Sequence, residues 1–158
     1  MKTRLNYFQQ ASNPMKALSG FAPYLAESVL DKSLLELLYF RVSQINGCAF
    51  CLDMHSKELR AMGEQEHRLY VMNAWREAAF YSERERAALA FAEALTKVEH
   101  GEVPDEVYNA AAAQFSEGEL VDLAIAIVAI NSYNRLNIAF GSPLPVGSYK
   151  VGMFAEKH

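Results

Sequence analysis

The sequence predicts an all-α fold, a helical bundle of about six to eight helices, and three observations carry that prediction. Helix-start signatures recur: Ser82-Glu-Arg-Glu85 and Ser116-Glu-Gly-Glu119 both have the spacing of a capping box. Apolar residues downstream of helix starts repeat at helical intervals, as at Leu34, Leu35, Leu38 and Val42. The alternating β-branched runs that mark strands are missing, and the Val and Ile residues near the C-terminal end sit among alanines.

Asn13-Pro14 reads as an N-cap with proline at the first helical position, and Gly20 or Pro23 interrupts or kinks the stretch after it. Asp31 or Ser33 can cap a second helix that runs towards Asn46, and Gly47 fits a C-terminal position where φ is positive. A third helix starts near Cys48 and runs to Met62, with Gly63 stopping it; a fourth covers residues 64–79. The box at Ser82 opens a helix with Leu89, Phe91, Ala92 and Leu95 at apolar positions. Gly101 to Pro104 is a turn, and Pro104 starts a short helix through Tyr108 and Ala112. The box at Ser116 opens a long apolar helix, 120–140, ended by Gly141-Ser-Pro143.

A chain of 158 residues fits one domain, 1–158, and no repeat or low-complexity tract divides it. Pro145 and Gly147 predict an extended tail over 143–158, able to reach a neighbouring subunit. Exposed apolar positions on the long last helix suggest packing against another chain. The net charge is -4 and no Lys/Arg cluster is present, which argues against nucleic acid. Basic residues at the N-terminus precede no apolar stretch of a secretory signal. The longest unbroken apolar run, 123–130, falls far short of the ~20 residues that cross a bilayer. The expectation is a cytoplasmic protein without a membrane partner. A structural disulfide is disfavoured in that reducing compartment, and the only two cysteines, three positions apart, suit redox or metal chemistry.

The chemistry lies in Asn46-Gly-Cys48-Ala-Phe-Cys51-Leu-Asp-Met-His55. On a helix, Cys48 and Cys51 stand at i, i+3 and Cys51 and His55 at i, i+4, so all three share a face. Cys48 lies at the helix N-terminus, where unpaired amides and the dipole favour an anion and lower a thiol pKa. His55 can act as base or as partner to a thiolate. Its other nitrogen needs an orienting group, for which Glu36, an acid among leucines on the preceding helix, is the candidate. Glu36 can equally face solvent or pair with Arg41. A zinc site is the rival for the cysteines, with Cys48, Cys51, His55 and either Asp53 or Glu36 as ligands.

Asn131, Tyr133, Asn134 and Arg135 interrupt the last helix with polar groups. They satisfy one another at a subunit interface or helix end, or else Tyr133 or Asn134 lines the thiol pocket. His67 and His100 read as solvated, and His158 carries no signal. Trp75, Phe80 and Tyr81 read as core or oligomer contacts, and Met54, Met62 and Met72 as gap fillers.

Glu36, Arg41-Val-Ser-Gln-Ile-Asn-Gly47, Cys48-Ala-Phe-Cys51 and His55 together resemble the signature of the alkylhydroperoxidase AhpD-like proteins of the carboxymuconolactone decarboxylase superfamily. The likeness is dense over the motif 36–63 and returns at Asn131-Ser-Tyr-Asn-Arg-Leu-Asn-Ile-Ala-Phe140. It implies an all-α, AhpD-like helical bundle assembled as a homotrimer or homohexamer, and a thiol peroxidase acting on hydrogen peroxide or organic hydroperoxides. By position, Cys51 matches the attacking thiol, Cys48 the resolving one, and His55 with Glu36 the proton relay. The two thiols hold both electrons, so no metal, flavin or haem is implied; a dithiol donor, lipoyl-bearing or thioredoxin-like, would reset them. Well-known members carry histidine just before the second cysteine, where this chain has Phe50. Two other activities fit the same superfamily and motif: a lactone decarboxylase, which needs no thiol pair, and a non-enzymatic disulfide sensor.

Overall fold

The N-terminal region folds as three short helices, α1 (Tyr7–Gln10), α2 (Ser12–Ser19) and α3 (Phe21–Ala26), in a computed structural model that describes residues 3–154. Asn6 caps α1 by accepting from the Gln9 amide. Asn13 does not cap: α2 begins at Ser12, which puts Pro14 within the first turn, where its missing N–H removes no intrahelical bond. Gly20 separates α2 from α3. Pieces this short show no helical period in sequence, which is why nine α-helices are present among the described residues where six to eight are expected.

The central helix α4 (Lys32–Asn46) buries Leu34, Leu35, Leu37, Leu38, Phe40 and Val42. It ends at Gly47, whose φ of 72° is left-handed and costs a glycine little. The chain turns at once into α5 (Ala49–Ala61), with Cys48 as its N-cap, and α5 packs on α4.

The single helix expected over 64–79 is instead α6 (Glu66–Tyr70) and a 3₁₀ segment, Met72–Glu77. Val71 and Ala74 leave helical φ/ψ, and the break turns Trp75 inward to donate to Glu93. Met72 is buried there, whereas Met62 is exposed and fills no gap.

Next come α7 (Glu83–Lys97), α8 (Asp105–Ala112) and α9 (Glu117–Phe140). Both capping boxes close as their spacing predicts: Ser82 with Glu85 and Ser116 with Glu119. Ser116→Ala is therefore expected to lower stability by about 1 kcal/mol, read as a lower urea midpoint at unchanged slope.

By length and composition α9 could cross a membrane, but it is a core helix. Leu120, Leu123, Ala126, Ile127 and Ile130 pack into the core against α4 and α7. Its buried Asp122 accepts from Tyr24 and Ser28 and so ties α3 to the bundle. Val121, Val128 and Ile138 of α9 are exposed.

After α9 the chain runs without a helix along α5. Lys57 donates to the carbonyls of Gly147 and Tyr149, Asp53 accepts from the Gly147 amide, and Glu58 accepts from the Tyr149 hydroxyl and the Gly152 amide. Tyr149 is buried with its ring at right angles to Phe50, 6.5 Å away.

Candidate active site

The α4–α5 corner places the cysteines. The Cys48 amide donates to the Ser43 carbonyl, and the Leu52 amide closes the first turn of α5 on the Cys48 carbonyl at 2.9 Å. Cys48 itself is extended (φ -83°, ψ 96°), which brings its sulfur back across that turn. Its Cα lies 5.4 Å from that of Cys51 and the two are joined as a disulfide. Both are buried, at 2% and 1% exposure. Cys51 thus occupies the first turn of α5, where unpaired amides and the helix dipole stabilise a thiolate.

His55 follows one turn later and is also buried. Its Nδ1 lies 2.7 Å from Glu36 Oε2, so α4 and α5 bring together the residues the sequence singles out. Arg41 does not compete for Glu36, because its guanidinium pairs with Glu93 at 2.7 Å. The Tyr39 ring packs against the imidazole, its centroid 5.1 Å away and its plane tilted by 44°. In a neutral imidazole, donation from Nδ1 to the carboxylate would leave Nε2 with its lone pair, the state a proton acceptor needs. Among the described residues, Nε2 is the buried side-chain nitrogen or oxygen that no protein group bonds.

Asp53, one possible fourth zinc ligand, is held by Lys57 and the Gly147 amide. Phe50 packs under the C-terminal segment.

Of the polar group on α9, Asn131 and Asn134 bind α9 to its neighbours rather than to the cysteines. Asn46 donates to both, at 2.8 and 2.9 Å, Asn134 donates to Ser43, and Asn131 donates to Thr96. Arg135 donates back to Asn131. Of the four, Arg135 and Asn131 satisfy each other, while the two asparagines find their other partners on α4 and α7.

Tyr133 behaves differently. Burial raises its pKa, and it lies near enough to raise those of Tyr7 and Tyr39 as well. Burial, with Tyr133 adding to it, pushes Tyr7 up to about 12; burial and then Glu36 push Tyr39 up further. Phenols from α1, α4 and α9 therefore stay neutral donors at any pH where a thiol titrates.

Asn137 joins the site from within the stretch 131–140 where the resemblance returns, though the sequence alone assigns it no role. Its Nδ2 donates to Cys51 Sγ at 3.4 Å from 86 positions away. Its Oδ1 accepts from the Tyr7 hydroxyl at 2.8 Å. No local spacing signals this contact; the hint is an amide repeated on an apolar helix, three residues after Asn134.

The remaining residues stand apart. His67 and His100 are exposed, and His158 lies outside the described residues. Trp75 and Tyr81 are core residues, while Phe80 is 43% exposed.

A model of the carboxymuconolactone decarboxylase family matches residues 14–94, which include Glu36, both cysteines and His55. The chain is 42% identical over 142 residues to the uncharacterized protein YdfG of Bacillus subtilis (strain 168), covering 90% of this chain and 97% of that one. Among solved structures it is similar to a protein of unknown function from Agrobacterium tumefaciens, provisionally described as antioxidant defence protein AhpD. The identity is 41% and the TM-score 0.86, over 92% of this chain and 99% of the other. The debrominase Bmp8 is 25% identical with a TM-score of 0.72, over 85% of this chain and 73% of its own.

Proposed function

This chain belongs to the carboxymuconolactone decarboxylase family, and within it we propose a thiol-dependent peroxidase that reduces hydrogen peroxide or organic hydroperoxides. One observation carries the reading: a bonded Cys48–Cys51 pair at the start of α5, one turn before a buried His55 that is hydrogen-bonded to Glu36. The similarity to the AhpD-described Agrobacterium protein supports it.

In the first half-reaction His55 accepts the Cys51 proton, and the thiolate attacks the terminal peroxide oxygen. The O–O bond breaks, two electrons pass from sulfur to peroxide, and the alkoxide leaves as alcohol with the proton from His55. Cys51 is left as a sulfenic acid. In the second, Cys48 gives its proton to the same imidazole and attacks the Cys51 sulfur. Hydroxide leaves as water with that proton, and the disulfide closes. A dithiol donor, lipoyl-bearing or thioredoxin-like, reopens it by exchange. Glu36 holds the imidazole tautomer and stabilises its cation in both halves. The two thiols carry both electrons without metal, flavin or haem. The working form in this proposal is a homotrimer or homohexamer, with Val121, Val128 and Ile138 of α9 covered by another copy.

The test is consumption of hydrogen peroxide and cumene hydroperoxide by the wild-type protein with excess dihydrolipoamide. Catalytic loss of either peroxide is expected. No loss of either, while both thiols remain titratable, overturns the reading and leaves lactone decarboxylation and disulfide sensing to be assayed. Glu36→Gln should keep the fold but slow turnover by roughly ten- to a hundredfold, near the lower end of what positioned acid–base groups contribute. An unchanged rate would remove Glu36 from the relay.

A further inference from the structure

We propose that Asn137, oriented by Tyr7, is the hydrogen-bond donor that stabilises the Cys51 thiolate and so sets its acidity. This rests on the reading of Cys51 as the attacking thiol. The three groups form a buried line: the Tyr7 hydroxyl donates to Asn137 Oδ1, and Asn137 Nδ2 donates to Cys51 Sγ. Their exposures are 4%, 9% and 1%, so water competes little for any of them.

The direction of the line follows from chemistry. An amide presents one acceptor and one donor face, and a thiolate accepts only. With the Tyr7 hydroxyl donating to the oxygen, the NH₂ group faces the sulfur; the flipped amide would set a carbonyl dipole against the negative charge. Tyr7 remains protonated and able to hold that orientation well above neutral pH, since burial pushes its pKa up to about 12. The N-terminal segment that carries Tyr7 is itself fastened to α9: the Arg4 amide donates to the Phe140 carbonyl at 2.7 Å and its guanidinium to the Ala139 carbonyl. A residue 130 positions from Asn137 is thereby part of the thiol site.

A bond from N–H to a neutral thiol or disulfide sulfur is weak, whereas one to a thiolate is charge-assisted. Asn137 therefore favours the thiolate over both other states. It lowers the Cys51 pKa and makes the disulfide easier to reduce. The other groups able to act on Cys51 are Cys48 at the N-cap of α5, His55 on α5, Glu36 and Tyr39 on α4, Tyr7 on α1 and Tyr133 on α9. The C-terminal segment adds Tyr149, and Lys57 and Asp53 of α5 pair with each other. These groups stay constant between the proteins to be compared, apart from the single substitution under test.

The experiment is a pH titration of ultraviolet thiolate absorbance in a Cys48→Ser background, where Cys51 is the sole thiol. Asn137→Leu, nearly isosteric, should raise the Cys51 pKa by about one to two units, the scale of a hydrogen bond to a charged group. Tyr7→Phe keeps the ring but releases the amide, and should raise it by a smaller step. With both cysteines restored, Asn137→Leu should shift the dithiol–disulfide equilibrium towards the disulfide. A Cys51 pKa unchanged in Asn137→Leu, even in a less stable protein, overturns the proposal; if that variant does not fold, an unchanged value in Tyr7→Phe does so. The titration uses no peroxide. A shifted pKa in a protein that consumes no peroxide would sink the peroxidase reading alone, and an unshifted pKa in an active peroxidase would sink this inference alone.

Discussion

Cys51→Ser is expected to abolish peroxide consumption, while Cys48→Ser is expected to complete the first half-reaction and stop with a sulfenic acid on Cys51. The asymmetry has a structural origin. Cys51 lies within the first turn of α5, accepts a bond from Asn137 and precedes His55 by one helical turn. Cys48 sits outside the helix as its N-cap, bonded to Cys51, and in the proposed cycle its part is to attack that sulfur rather than the peroxide. A serine hydroxyl at 51 does not ionise near neutral pH and its oxygen cannot accept the peroxide oxygen, so turnover should fall to the uncatalysed background. A serine at 48 removes only the resolving step. Mass spectrometry after one equivalent of peroxide and a sulfenic-acid trap reads the outcome directly. An adduct on Cys51 in Cys48→Ser, and none in Cys51→Ser, is the expected pattern. An adduct on Cys48 in Cys51→Ser would reverse the assignment.

A large loss of stability should come from Glu93→Ala, at about 3 kcal/mol, the lower end of the roughly 3–5 kcal/mol that breaking a buried pair from one side costs. Glu93 is buried on α7 and accepts from Arg41 Nε at 2.8 Å, Trp75 Nε1 at 2.8 Å and Arg76 Nη1 at 2.6 Å. Removing it leaves the indole N–H without its acceptor and the Arg41 guanidinium, 12% exposed, with Gln44 alone. The lower end applies because Arg76, 59% exposed, regains water. Against a typical total of about 5–15 kcal/mol, such a loss is a large share, and urea unfolding would show it. A drop under about 1 kcal/mol, the ordinary cost of a single point mutation, would mean that the network holds without its centre.

The same carboxylate makes stability pH-dependent. Burial alone would push Glu93 upward, but bonds from Trp75, Arg76 and Arg41 outweigh it and leave the pKa below its ordinary value of 4.5. A folded pKa below the unfolded one means that the contribution is fully present above about 4.5 and is lost as pH falls through the lower folded value. Wild-type stability should therefore decline in acid below that range, and Glu93→Gln should flatten this decline.

Both capping boxes, the left-handed end of α4 at Gly47 and the one-turn spacing of Cys51 and His55 on α5 were legible because each depends on residues within about one helical turn; Cys48, expected on the same helical face, stands outside α5 as its N-cap. Glu36 was half legible. An acid among leucines must find a partner, but Arg41 and His55 were equally open to it until the packing of α5 on α4 brought His55 to 2.7 Å and Glu93 claimed Arg41.

The helix expected over 64–79 failed for a related reason. Its local pattern is helical enough, yet the bond from Trp75 to Glu93 on α7 favours a break at Val71 and Ala74. Helical periodicity and caps are short-range, so the order of residues along the chain was enough for the fold class, most helix ends and the thiol motif. The Asn137–Cys51 and Tyr7–Asn137 contacts span 86 and 130 positions. Those were settled by packing alone, because a hydrogen bond between distant residues exists only after the burial of α4, α7 and α9 has brought their helices together.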